Sequence, residues 1–430
     1  MPADPSQTFY QASAGAAPRF APLQGVQEAD TAIVGGGYAG LATALGLMER
    51  GRARGTVLLE AETIGFGASG RNGGFVFGGF SLDCAALLRQ LGTPTAQNLY
   101  RLTLDAVQRI RERILRYQIG CDAQYSGVLL ANWFRDDAPL RAQQAFMRQQ
   151  FGVDWQWLAR EQTRELLRSE RYHAALLEPN AFHFHPLKYA QGEARALLAG
   201  GVAVHEQSRV TTLTPDGAGW RLRTTQGAEL RCRQVVVCCG GYIGSLYPAL
   251  ARAVLPIATY VMATEPLGAE RLASALRTQA AVYDTRFAFD YYRPLADTRM
   301  LWGGRISIRE LAPPQVERLL LQDLLRVYPQ LAGVQVSHAW SGLMSYARHQ
   351  MPQIGRLHNG LWYAMGFGGH GVAPTTLAGE VLAQALAGEA DIPAGFSTYG
   401  LPNTFGPLGR AAAQATYWWA QWRDALRERL

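Results

Sequence analysis

Three glycines and one acid carry the clearest chemistry in this chain. Gly35, Gly37 and Gly40 stand in the spacing GxGxxG, after the apolar run Thr31-Ala32-Ile33-Val34. Beyond them Leu41, Leu45 and Met48 recur at helical spacing, and Gly51 supplies a C-terminal stop. A loop of this kind binds a dinucleotide. Gly35 permits the tight turn, Gly37 presents no side chain to the pyrophosphate, and Gly40 lets the helix pack close to the strand. The first N–H groups of that helix, at Tyr38 and Ala39, point their positive end at phosphate. A second strand-like run, Thr56-Val57-Leu58-Leu59, ends at Glu60, 20 residues beyond Gly40 (60 − 40), with Ala61 next. Glu60 is placed to accept hydrogen bonds from ribose hydroxyls and to repel a 2′-phosphate.

Gly366, Gly368 and Gly371 repeat the spacing, after Leu361-Trp362-Tyr363-Ala364-Met365 and before a helix marked by Leu377, Val381, Ala385 and Leu386. Asp391 lies 20 residues beyond Gly371 (391 − 371), but only Gly388-Glu389-Ala390 leads to it and no strand does. A second dinucleotide site is therefore excluded. Instead, the helix starting near Pro374 aims its N-terminus at the loop, where it stabilises negative charge developing on a bound ring. The run Gly65-Phe66-Gly67-Ala68-Ser69-Gly70-Arg71-Asn72-Gly73-Gly74 is too rich in glycine for a packed helix. It reads as backbone laid against a flat ligand, with Ser69, Arg71 and Asn72 as polar contacts; the plainer reading is a flexible loop. Residues 231–241 read as a buried strand running into the turn Gly240-Gly241.

These motifs need a sizeable scaffold, and 430 residues supply two domains. Apolar content of 48% with 17% charged residues excludes disorder. The most apolar stretch, 235–262, is broken by Gly240, Gly241, Pro248, Arg252 and Pro256, so no membrane span is expected. The first residues lack a signal-peptide pattern and read as a polar, Ala/Pro-rich arm to about Glu28. Five cysteines without CxxC favour a reducing cytoplasm. His183 and His185 have no further ligands nearby in sequence, so no metal is expected. The net charge of +7 is almost all arginine and scattered, without a basic aromatic groove for nucleic acid.

Further segments extend the pattern along the chain: Phe9-Tyr10-Gln11-Ala12-Ser13, Asp290-Tyr291-Tyr292-Arg293, Trp340-Ser341-Gly342, Met351-Pro352-Gln353-Ile354-Gly355-Arg356 and Gly369-His370-Gly371-Val372. With residues 34–40 and 65–74, they make the chain resemble the D-amino-acid-oxidase-like superfamily of FAD amine oxidoreductases. The branch acting on γ-glutamylated diamines is the most similar. The resemblance implies an α/β (α+β) fold of two interleaved domains. A Rossmann-like FAD-binding domain would use residues 26–83, 186–245 and 335–394. A substrate domain on an antiparallel sheet would use 84–185 and 246–334, leaving 395–430 as a C-terminal amphipathic tail. It further implies that Val210 lies beside the adenine, that Gly73, Gly74, Gly240 and Gly241 line the cofactor, and that residues 369–372 meet the flavin. The implied reaction takes hydride from a carbon bearing an amine to flavin N5, hydrolyses the imine, and reduces O2 to H2O2. Covalent attachment is not expected, since no cysteine follows Cys239 and Gly70-Arg71-Asn72 contains no histidine. Phe75 replaces a polar glutamine of the similar enzymes, and residues 343–350 also depart from them, which bears on the substrate.

On the substrate side, Tyr291 and Tyr292 offer an aromatic wall for a cationic amine, with only one of the two facing the flavin. Arg293 or Arg348 would clamp a carboxylate. Phe75 belongs to the same set, and His370 reads as a flavin-loop residue rather than a base. Two other readings share the framework: an amino-acid dehydrogenase or oxidase passing electrons to quinone or O2, and a flavin-binding redox sensor. Ala415, Trp419, Trp422, Leu426 and Leu430 form one side of an amphipathic helix that either packs on the protein or contacts a membrane surface.

Overall fold

The computed structural model describes residues 7–429, so Leu430 lies outside the described residues. Near-continuous apolar runs form the centre of the first sheet, as parallel strands buried on both faces require. Its order is Gln353–Arg356, Trp362–Met365, Glu229–Val237, Val26–Val34, Thr56–Leu59 and Ala203–His205. Only the Gln353–Arg356 edge is antiparallel on this path. A hairpin, Val210–Asp216 with Gly219–Thr224, extends from Glu229–Val237. Helices Tyr38–Glu49 and Val372–Ala387 pack side by side against this sheet. Gly46 makes the approach possible, since a Cβ there would sit 2.6 Å from the Cβ of Ala383.

The second sheet runs Val336–Tyr346, Leu255–Thr264, Met300–Ser307, Asp290–Pro294, Ala281–Asp284, Val128–Ala131, Ala175–Glu178 and Gln156–Leu158. It is mixed rather than purely antiparallel, because Ala281–Asp284 pairs with Val128–Ala131 in parallel. These two strands come from different chain segments. No hairpin dictates their direction, whereas the hairpin-linked neighbours are antiparallel.

Two domain boundaries differ from the sequence expectation. Helix Thr93–Arg116, assigned to the substrate domain, buries Leu99, Val107 and Ile110 in the core beside the first sheet. Strand Val336–Tyr346, assigned to the FAD domain, is an edge strand of the second sheet, paired with Leu255–Thr264 from Val336↔Thr264 to Tyr346↔Leu255. Its long apolar partner strand outweighs its proximity in sequence to the cofactor segments. A third, two-stranded piece pairs Phe75–Val76 with Phe182–His183 and bridges the layers.

Candidate cofactor and substrate site

The glycine cradle forms at the carboxyl end of Val26–Val34. Gly35 has φ +115°, and a Cβ there would lie 2.8 Å from the Cys238 carbonyl oxygen. A Cβ on Gly37 would lie 2.9 Å from Ser69 Oγ, and one on Gly40 would overlap the Gly35 carbonyl. Helix Tyr38–Glu49 starts at Gly37 with no side-chain cap, and the Tyr38 N–H donates to Ser69 Oγ at 2.9 Å. Glu60 closes the cradle: its carboxylate accepts from Gly36 N (2.6 Å) and Glu62 N (2.9 Å). Burial pushes its pKa up, and these backbone donors oppose the shift. Val210 opens the neighbouring strand, and Ser208 N donates to the Glu60 carbonyl at 2.7 Å, so Val210 and Ala61 share this edge.

Residues 65–74 are an ordered loop whose polar side chains hold its own backbone. Asn72 accepts from Gly74 N (2.7 Å) and donates to the Ala68 and Ser69 carbonyls (3.1 and 2.9 Å). Arg71 donates to Phe66 O (2.9 Å) and Ser341 O (3.2 Å), and Trp340 Nε1 donates to Arg71 O (3.0 Å). Gly74 has φ +82°, and a side chain there would strike the Phe184 carbonyl. Gly73 lies flat against Tyr291, whose ring would be 2.6 Å from an added Cβ. The backbone is thus left as the ligand-facing surface.

Arg293 stands behind this loop instead of in front of it. It is buried and donates to Gly73 O (2.7 Å), Phe184 O (2.8 Å) and Tyr10 Oη (3.2 Å), with His183 Nδ1 at 3.4 Å. It makes no ion pair among the described residues. Burial, with Arg293 adding to it, lowers the pKa of His183 and of His185 to about 3, so both rings are neutral.

On the other side, helix Val372–Ala387 starts at Gly371, again without a side-chain cap, two residues earlier than the sequence pattern suggests. His370 is lowered to about 4 by burial. A neutral imidazole facing a carbonyl must donate, so Nε2 gives its proton to Gly78 O at 2.8 Å. His370 N donates to Ser81 Oγ at 3.2 Å, and the ring meets Phe77 edge-on at 4.1 Å. The turn at Gly240 (φ +53°) and Gly241 passes against the backbone of Leu343 and Met344.

Five rings close a circle beside the loop. Their centroids are separated by 6.4 Å (Phe75–Phe77), 5.7 Å (Phe77–Tyr283), 6.0 Å (Tyr283–Phe289), 6.3 Å (Phe289–Tyr291) and 5.7 Å (Tyr291–Phe75). Glu178 lies close by, buried, with a carboxyl raised to about 7 by desolvation. Of the substrate-side candidates, the structure brings together Phe75, Tyr291 and, through Phe77, His370. Tyr292 points the opposite way, stacked on Trp302 at 4.5 Å and hydrogen-bonded to Tyr328 Oη at 3.0 Å. Strand alternation demands that one tyrosine go inward. Arg348 is exposed near Phe405, 5.6 Å from its ring, so neither arginine presents a free fork to the ring circle. Sequence reasoning missed Phe77, Tyr283, Phe289 and Glu178. The i, i+2 pairs Phe75/Phe77 and Phe289/Tyr291 were the available signal.

The family described as FAD dependent oxidoreductase matches residues 30–385. The chain belongs to that family. It is 36% identical to gamma-glutamylputrescine oxidoreductase of Escherichia coli (strain K12) over 409 residues, 94% of each chain. It is 31% identical to a probable oxidoreductase OrdL of Haemophilus influenzae, over 90% of each. Glycine oxidase from Geobacillus kaustophilus shares the fold, with TM-score 0.73 at 21% identity over 87% of this chain and 99% of that one. The FAD-dependent oxidoreductase described here is therefore a mixed α/β protein of two domains.

Its residues fit FAD. A Cβ at Gly37, Gly73 or Gly74 would meet Ser69, Tyr291 or Phe184, so bare backbone lines this loop, and helices Tyr38–Glu49 and Val372–Ala387 both begin without a side-chain cap, as N-termini that receive an anionic group do. Among the described residues no group of three His, Cys, Asp or Glu is placed to hold a metal. Glu60→Ala is expected to weaken FAD affinity about tenfold or more, one charge-assisted hydrogen bond being worth roughly 1.5–3 kcal/mol. Fluorescence titration of the apoprotein with FAD measures this, and unchanged affinity would remove Glu60 from the ribose site.

Proposed function

We propose that this oxidoreductase oxidises the C–N bond of a small amine, with the terminal amine of a γ-glutamylated diamine or polyamine derivative as substrate class and O2 as acceptor. The carrying observation is the circle of five aromatic rings against the loop that fits the flavin. Such a circle binds an ammonium group through the ring faces. Bound FAD supplies a hydride acceptor. The rings hold the amine-bearing carbon toward that acceptor and exclude water. The ammonium sheds its proton, and hydride then leaves the carbon. Water hydrolyses the imine to aldehyde and ammonia, and the two electrons with two protons convert O2 to H2O2. His370, with Nε2–H committed to Gly78 O, serves as a fixed wall and not as a base. Activity rises with pH as the bound amine deprotonates.

Similarity to the E. coli gamma-glutamylputrescine oxidoreductase across 94% of the chain supports the substrate class. The test is anaerobic mixing with γ-glutamylputrescine, free and acylated polyamines, pipecolate and sarcosine, followed by air. Bleaching by the polyamine derivatives, with H2O2 appearing on reoxidation, is the expected result. Bleaching only by the amino acids overturns the substrate class. Tyr283→Leu or Phe77→Leu is expected to raise KM for the amine roughly 10- to 30-fold, a ring on a desolvated cation being worth about 2 kcal/mol. The reduction rate at saturation should change little.

FAD is held without a covalent link. Burial raises the thiols of Cys84, Cys121 and Cys239 to about 12, so none is a nucleophilic thiolate at neutral pH. Acid precipitation is expected to leave all the flavin in the supernatant. A fluorescent band on a denaturing gel would contradict this.

A further inference from the structure

The C-terminal helix Gly406–Arg429 turns its apolar side away from the protein. The side facing the body uses Tyr417 and Ala420 with polar anchors. Gln414 accepts from Ile308 N at 3.1 Å, Asp424 accepts from Phe287 N at 2.8 Å, and Glu428 pairs with Arg171 and Arg326 at 2.7 and 2.5 Å. The opposite side leaves Leu408 78%, Trp418 63%, Trp419 56%, Trp422 61% and Leu426 41% exposed, with alanines between them. At 3.6 residues per turn these positions fall on one arc, about 27 Å long at 1.5 Å per residue.

We propose that this helix docks the protein on a lipid bilayer carrying anionic headgroups, lying flat in the interface. Charge selects this partner. The only acids of the helix, Asp424 and Glu428, are both engaged with the body, whereas Arg423 is exposed beside the tryptophan arc and Arg410 and Arg427, the latter resting on the Phe134 ring, are exposed further round the helix. Arg423 also lies 5.0 Å from the Trp419 ring. A helix with clustered exposed tryptophans, Arg423 beside them and no free acid matches the headgroup zone, where indole rings settle and cations meet phosphate. A second copy of the chain would bring arginines against arginines with no acid of the helix free to pair with them. Among the described residues no helix is long and apolar enough to cross a membrane, so the contact is peripheral.

The test is co-sedimentation of the FAD-loaded full chain with vesicles of phosphatidylcholine alone and of phosphatidylcholine with phosphatidylglycerol. Binding to the anionic vesicles is expected, with a blue shift of tryptophan emission. The triple variant Trp418→Gln, Trp419→Gln, Trp422→Gln should bind at least tenfold more weakly. Arg410→Gln with Arg423→Gln and Arg427→Gln should remove the salt dependence. Both variants leave the anchors at Gln414, Asp424 and Glu428 in place and should keep bound FAD and amine-driven bleaching in solution, and Arg423→Gln alone, which spares the Arg427 contact with Phe134, should already weaken the salt dependence. No binding, or equal binding to neutral vesicles, overturns the proposal. So does a dimer seen by light scattering that the tryptophan variant dissociates.

Discussion

Arg293→Met is expected to release FAD and to destabilise the fold by about 3 kcal/mol, although the side chain does not reach the ring circle. The substitution leaves the Gly73 and Phe184 carbonyls buried without donors, and each such group costs about 1–3 kcal/mol. Removing a buried cation that makes no ion pair recovers part of that loss, which keeps the figure from being larger. The effect on cofactor retention is greater, because Gly73 and Gly74 lose the group that holds the loop flat. Arg293→Lys should rescue little, since one ammonium cannot span acceptors on three separate segments. FAD per chain after gel filtration and a thermal melt measure both effects. Full occupancy with an unchanged melt would show that the loop holds itself.

The second large effect depends on pH. Glu193, on helix Pro186–Ala199, is fully buried, and neither carboxylate oxygen has a hydrogen-bond partner. Arg113 stands nearby but is shared by Glu49 and Glu380. Burial, only partly offset by Arg113, raises the Glu193 carboxyl from 4.5 to about 8. The unfolded chain releases this proton above about 4.5, while the folded protein keeps it to about 8. Stability is therefore lost as pH rises through that window and levels off above it. The full loss is about 5 kcal/mol at 1.36 kcal/mol per pH unit. Glu193→Gln stays neutral, so its stability advantage over the parent should grow from pH 5 to pH 8 by up to about 4 kcal/mol, the share of that loss falling within three pH units. His183, His185 and His370, all held neutral, give the opposite slope below about 6.5, and comparing variant with parent cancels them. Denaturant melts at pH 5, 6.5 and 8 are the measurement. Parallel curves would mean that Glu193 ionises beside Arg113.

The cradle was legible because its parts are close in sequence. Gly35, Gly37, Gly40 and Glu60 sit in one βαβ unit whose spacing is the signal, although the atoms that crowd Gly35 and Gly37, at Cys238 and Ser69, lie further along the chain. Strand alternation likewise separated Tyr291 from Tyr292, but it does not say which ring goes inward. That depends on Trp302 and Tyr328, which only the folded sheet brings to Tyr292. Arg293 was misread for the same reason. Its partners at positions 10, 73, 183 and 184 belong to distant segments, and an arginine among aromatics looks like a ligand clamp until those carbonyls are in place. The ring circle joins residues 75 and 77 to 283, 289 and 291 across two chain segments. In the last helix the amphipathic pattern was plain, yet the apolar face is the outer one. Hydrogen bonds and ion pairs to Ile308, Phe287, Arg171 and Arg326 fasten the other side.

The interleaving of the two sheets also sets when the cofactor can be loaded during biogenesis. Val26–Val34 leaves the ribosome early, but its parallel partner Glu229–Val237 follows some two hundred residues later, and helix Val372–Ala387 later still. Parallel pairing over such separations forms slowly, because loop-closure entropy is lost before the contacts form. The glycine cradle accordingly spends most of translation without the strand and helix that complete it. Until then, the Val26–Val34 edge that Glu229–Val237 will cover remains open to other chains. Nucleotide binding is thereby a closing event of synthesis. A shortage of flavin would be met by nearly finished chains with exposed strands, which places the aggregation risk of this protein in cofactor supply.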